Sequence, residues 1–187
     1  MYWYKKVKKS SKAVIAGAIA ALLFSCNAEL DKNTATGKKY FDIPAYFQQE
    51  ISRLAAEKPI ITKTVTKDSL SETKKIDIKD WETELASFRS IDLNKPAYAG
   101  VLVQDSIPEK HLLKITSTDP KTDINKVEIQ YSEDGQVRSF HIERRLDKTL
   151  YQTQETLDYA KDKTYSIEKQ QSVWILGDKF YHIQADF

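Results

Sequence analysis

Three histidines, His111, His141 and His182, and the carboxylates Glu143, Glu155 and Asp158 are the side chains of this sequence suited to acid–base or metal chemistry. The carboxylates stand in stretches of alternating polarity, so adjacent strands would bring them together. A pair held about 5 to 10 Å apart across a cleft is what hydrolysis of a glycosidic bond needs. The plainer reading, that they belong to solvated strand faces, is the stronger one, because antiparallel sheets commonly keep one face in water. The histidines have no local support as a metal site. No two stand at ligand spacing, and their phases differ: His182 alternates with Gln184, whereas His111 is in phase with Leu113 and Ile115. No metal and no cofactor is expected.

Nucleophilic chemistry finds little material. Cys26 is the only cysteine, no Gly-x-Ser-x-Gly turn occurs, and five glycines leave few positions for strained loops or phosphate cradles. The aromatic residues are more informative: ten tyrosines, seven phenylalanines and three tryptophans. Most are expected in the core. Phe140, Trp174 and Phe180, however, fall on the even phase, opposite the main apolar side, where they would line a groove or a surface for a ligand or partner. The pair Arg144-Arg145 beside Glu143 reads as a salt-bridged surface.

The first twelve residues carry Lys5, Lys6, Lys8, Lys9 and Lys12 and no acid. Every residue from Ala13 to Phe24 is apolar or Gly17, and at about 1.5 Å per helical residue this run spans only about 18 Å, short of a bilayer core of about 30 Å. It therefore reads as a signal-peptide core and not as a membrane span. The run ends in Leu23, Phe24, Ser25 and Cys26.

These four residues resemble the lipobox of bacterial lipoproteins. The resemblance implies a thioether-linked diacylglycerol on the Cys26 thiol, cleavage between Ser25 and Cys26, and acylation of the new amine by a fatty acid such as palmitate. Phe24 is bulkier than the residue usual at its position, while Leu23 and Ser25 keep the pattern. With several acyl chains, each buried methylene contributing about 0.8 kcal/mol, the anchor is in effect permanent. In general style the chain is similar to Bacteroidota envelope lipoproteins of undetermined role. Many surface-exposed lipoproteins of the Bacteroidota carry an acidic run just after the cysteine. Here only Glu29 and Asp31 stand there, interleaved with Leu30, and the resemblance therefore favours the outer membrane with the domain facing the periplasm.

Processing changes the charge. Loss of the five signal lysines from the 29 basic residues leaves 24 against 27 acidic ones, and this balance argues against a nucleic-acid partner. The acylated cysteine leaves no thiol for a disulfide, so the domain must stand on its core.

Around these residues the elements are expected as follows. Residues 1–25 form the signal peptide, 26–40 a polar tether and 41–187 a single α+β domain. A first helix begins at the N-cap Asp42, with Pro44 in its first turn, Ile43, Phe47, Ile51 and Leu54 on one stripe, and Pro59 limiting it. Ile60 to Thr66 is a strand by its branched residues. A second helix from about Ile78 to Ile91 would bury Ile78, Trp81, Leu85 and Phe88. From His111 onward the pattern alternates with a period of two, broken at Asp134-Gly135 and Gly177-Asp178, which gives an antiparallel meander of about six strands. Two N-terminal helices would thus pack on one face of a C-terminal sheet.

Three functions are compatible with this reading. The first is a non-enzymatic binding or scaffolding domain, anchored to the membrane through Cys26 and partnered by an envelope protein or lipid. The second, a lipid or lipoprotein carrier, requires an enclosed apolar cavity. The third, a glycan-acting hydrolase, requires Glu143 and Glu155 to converge.

Overall fold

Asp42 opens the first helix as a side-chain cap: its Oδ1 accepts from the Ala45 N–H at 3.0 Å. The computed structural model describes residues 40–187, so the expected signal peptide, Cys26 and the tether up to Lys39 lie outside the described residues. Tyr40, placed in the tether by the sequence, is buried. Its hydroxyl donates to the Leu102 carbonyl at 2.7 Å, and its N–H donates to Asn94 Oδ1 at 2.8 Å.

Helix α1, Ile43–Glu57, buries Ile43, Phe47, Glu50, Ile51 and Leu54 along one stripe and ends at Lys58 in the left-handed conformation. The expected second helix is shorter and broken. Asp80 caps it by accepting from the Thr83 N–H and hydroxyl, and only α2, Trp81–Glu84, and α3, Ala86–Arg89, are helical, separated at Leu85. The backbone leaves helical geometry at Leu85, φ −99° and ψ 14°, and the Ser90 hydroxyl donates to the Ser87 carbonyl at 2.8 Å where the second piece ends. The apolar stripe survives the break: Trp81, Leu85 and Phe88 are all buried.

The sheet has nine strands: the expected meander of six after His111, the expected strand at Ile60, and two that were not expected, Leu70–Asp77 and Leu102–Ile107. They are β1 Ile60–Lys67, β2 Leu70–Asp77, β3 Leu102–Ile107, β4 Leu112–Ser117, β5 Ile124–Tyr131, β6 Val137–Asp147, β7 Tyr151–Ala160, β8 Thr164–Val173 and β9 Gly177–Asp186. All pairings are antiparallel, in the spatial order β2-β1-β9-β8-β7-β6-β5-β4-β3. The hairpin β1–β2 therefore adds to the last strand, and β3 forms the other edge. The α+β class holds, with a larger sheet and less helix than expected. Strands β2 and β3 escape a periodicity reading because edge strands keep most side chains in water and need no apolar alternation.

The helices cover one face only. Its apolar phase changes along the chain: odd-numbered Val127 and Ile129 face the helices in β5, even-numbered Phe140 and Ile142 do so in β6, and odd-numbered Leu157, Tyr159 and Tyr165 do so beyond. The register shift between Gln130 and Tyr131 and the turn at Gly135 reset the phase. Phe140 is therefore not a surface residue, as its even number suggested. It is 1% exposed, with its ring 5.2 Å from Phe47 and 4.9 Å from Tyr46. Phe47 is the hub, stacked on Phe88 at 4.9 Å and edge-on to Tyr159 at 5.1 Å.

Two carboxylates pin the helices to the sheet. Glu50 of α1 accepts from the Tyr159 hydroxyl at 2.5 Å and from Arg53 Nη2 at 2.8 Å. Glu84 of α2 accepts from the Tyr165 hydroxyl and from Lys63 Nζ at 2.6 Å. Burial alone would raise the Glu50 carboxyl, but the bonds from Arg53 and Tyr159 outweigh it and hold the group below the ordinary carboxylate value.

Because that value is lower folded than unfolded, Glu50 adds stability at neutral pH that disappears as pH falls through the carboxylate range toward its folded value. Tyr159→Phe should lower stability by about 1–3 kcal/mol in urea unfolding at neutral pH, and Glu50→Gln should flatten the acid limb of the stability curve. An unchanged acid limb in Glu50→Gln would show that other carboxylates carry it. Phe47→Ala should cost about 3–5 kcal/mol by the same measurement.

Candidate functional site

Strand alternation leaves the second face of the sheet without helices, and its polar side chains fall into registered rows. One row runs Lys114, Glu128, His141, Asp158 and Ser166 across β4 to β8. Cross-strand neighbours of opposite charge attract, and here they form a continuous ladder. Lys114 and Lys126 each lie 3.8 Å from Glu128, and Lys126 Nζ is 2.7 Å from Glu143 Oε1.

His141 sits inside this ladder. Its Nδ1 is 2.7 Å from Asp158 Oδ1 and its Nε2 is 3.0 Å from Glu143 Oε1. Only the imidazolium can donate from both nitrogens. Partial burial would lower its pKa, but the two carboxylates prevail and raise it above the ordinary histidine value. Glu143 is correspondingly held low, first by Lys126 and then by His141. A histidine so bound loses a hydrogen bond whenever it gives up a proton.

The other sequence candidates do not converge. Glu155 pairs with Arg144 across β6 and β7, whereas Glu143 pairs with Thr156, one position along, so the two glutamates point to opposite faces. Arg144 Nε lies 3.2 Å from Glu155 Oε2, and Arg145 Nε donates to Asp147 Oδ1 at 2.9 Å, so both arginines are salt-bridged as expected. His111 is not in a strand. It caps the 3-10 turn Pro108–Lys110 in the left-handed conformation, and His182 lies three strands from His141. Among the described residues no group of three or more His, Cys, Asp or Glu is placed to hold a metal ion.

Trp174 lies in the turn between β8 and β9, not on a strand. Val173 pairs with Gly177, the Leu176 N–H donates to the Val173 carbonyl at 3.1 Å, and Gly177 closes the loop at φ 73°. This is a three-residue hairpin loop with a left-handed glycine, so the chain reverses before Gly177-Asp178, where the sequence put the turn. Trp174 is 82%, Ile175 86% and Leu176 69% exposed. The Trp174 N–H donates to the Leu150 carbonyl at 3.2 Å, which sets the apolar turn beside exposed Leu150 and Tyr151 at the β6–β7 tip.

Phe180 does lie on the helix-free face. Its N–H donates to Asp68 Oδ1 at 3.0 Å and its carbonyl accepts from the Asp68 N–H at 2.8 Å, so the β1–β2 turn is tied to β9 beside the ring. A concavity of about 430 Å³ opens there, lined by Gln152, Gln154, Gln170, Ser172, Asp178 and Phe180 among others. Sequence reading put Trp174 and Phe180 on one strand face and did not single out the glutamines. The signal it passed over was three apolar residues directly before a turn glycine.

Since His141 is raised on folding, it adds stability that is complete below its unfolded value and lost as pH rises through its folded one. Its ring resonances should titrate above the ordinary midpoint of about 6.5. His141→Gln should remove the loss of stability expected as pH rises through the folded value of His141. A midpoint at or below the ordinary value would refute the clamped imidazolium.

No protein-family model matches this chain, and no curated protein or solved structure matches it either.

Proposed function

We propose that the protein is a non-enzymatic docking domain of the bacterial envelope, anchored by lipid on Cys26 at the outer membrane and facing the periplasm. Its contact for an envelope protein is the turn Trp174-Ile175-Leu176 with neighbouring Leu150 and Tyr151. The observation that carries the reading is the exposure of that turn. Fully burying one side chain of this kind is worth about 1.5–3 kcal/mol, so a partner covering all three would gain a compact apolar anchor of the sort that dominates interfaces. The anchoring half of the proposal rests on the residues Leu23 to Cys26.

The rival readings draw less support. A hydrolase acting through Glu143 and Glu155 would need them on one face, and they occupy opposite faces. A carrier would need Trp174 and Phe180 to enclose a hollow, but Trp174 stands in solvent and Phe180 lies on an open sheet face.

A photo-crosslinking residue at Ile175 should give a discrete protein adduct in cells that the same residue at Thr73 does not give. Adducts to lipid alone, or none, would rule the docking contact out. Cys26→Ala should accumulate as an unprocessed precursor that takes up no labelled palmitate. Normal labelling of that variant would sink the anchor.

A further inference from the structure

On most of the helix-free face, polar side chains satisfy one another: His141 with Asp158 and Glu143, Lys126 with Glu143, Thr64 with Thr73 at 2.8 Å and Thr66 with Ser71 at 3.1 Å. The concavity beside Phe180 differs. Gln152 and Gln154 of β7 and Gln170 of β8 make no side-chain hydrogen bond or ion pair among the described residues, though all three line the same hollow. The register sets them out as a grid: Gln154, Gln170 and Phe180 in one row, and Gln152, Ser172 and Asp178 in the next. Three strands by two rows cover about 10 Å by 7 Å.

The chemistry of the grid selects its ligand. Each glutamine amide offers two donors and one acceptor, which suits hydroxyl groups that both give and take hydrogen bonds. Neutral amides set up no strong field, and the rim charges are of both signs, Asp68 and Asp178 against Lys179. Phe180 supplies an apolar ring at the edge of this polar grid, with His182 two residues along the same strand at 6.3 Å between ring centroids. A flat ligand with a C–H face and a hydroxyl rim matches both halves at once. We propose that this concavity binds a neutral oligosaccharide, one sugar ring packing on Phe180 while its hydroxyls bond Gln152, Gln154 and Gln170.

The inference does not rest on the docking reading, because the residues that test it lie in β7, β8 and β9 and not in the turn 174–176. The full chain, held in lipid nanodiscs so that no sugar-based detergent competes, should be probed with maltohexaose, cellohexaose and mannohexaose by saturation-transfer NMR. At least one should bind at millimolar concentration or below. Phe180→Ala and the double variant Gln154→Ala/Gln170→Ala should each weaken it by about tenfold or more, whereas Trp174→Ala should leave it unchanged. The double variant keeps the ring and its backbone ties, so it reports on the site even where Phe180→Ala disturbs the strand. Failure of all three sugars to bind, binding that survives in the double variant, or tighter binding of the anionic polymer polygalacturonate would each overturn the assignment.

Discussion

Everything else in this molecule depends on how a thin helical layer is held to one face of a wide sheet. A buried carboxylate is tolerated only when its oxygens are fully engaged, and both helical pins meet that demand in the same way, with a tyrosine from the sheet and a cation beside it. Glu50 has Tyr159 and Arg53; Glu84 has Tyr165 and Lys63. Arg53 also reaches Glu57 at 2.6 Å and Asp162 at 2.8 Å, so the pin on α1 extends to the β7–β8 turn. Between the pins lies the aromatic cluster around Phe47, where the layer excludes water. The layer is small, and the sheet outruns it. On the same face Val65 is exposed, and Lys169 and Gln171 border an open polar hollow together with Arg144 and Glu155.

This arrangement explains which parts of the fold a single sequence discloses. Helix α1 was legible because cap, proline and stripe all agree on it, and six strands after His111 were legible because one buried face forces a period of two. The second helix was overread. Its stripe of Trp81, Leu85 and Phe88 is real and buried, but the stripe reports which side meets the core and not whether the backbone between is continuous, and the backbone leaves helical geometry at Leu85. Strand β2 was invisible because, of Leu-Ser-Glu-Thr-Lys-Lys-Ile-Asp, only Ile76 packs against the core. Its place comes from pairing with β1, a long-range property that no local window contains.

The candidate residues divide on the same physical ground. Phe140 was misplaced because a parity rule assumes an unbroken ladder, and one register shift moves a side chain from one face to the other. Phe180 kept its assigned side because β8 and β9 pair without a shift over their whole length. The proximity of Gln152, Gln154 and Gln170 to it follows from strand order, which the sequence does not carry. His141 shows the limit from the other direction: its type invites catalysis, but two carboxylates on neighbouring strand positions engage both its ring nitrogens and raise its pKa.

The hairpin turns allow a comparison within one sheet. The turn of β1–β2 is Asp68-Ser69, that of β5–β6 contains Asp134-Gly135, that of β6–β7 opens with Lys148-Thr149, and that of β7–β8 is Lys161-Asp162-Lys163. Apart from exposed Leu150 in the third of these, each uses polar or charged residues that suit water. Asp68 and Asp162 also take the left-handed conformation that such residues tolerate. The turn of β8–β9 has the same mechanical task, and Gly177 alone meets its conformational requirement at φ 73°. The three positions before it are unconstrained by the turn, face water and touch no core, yet they hold Trp, Ile and Leu. Folding buries little of these side chains, and an exposed apolar cluster favours association. The docking contact proposed above gives those residues a role that the folded domain does not.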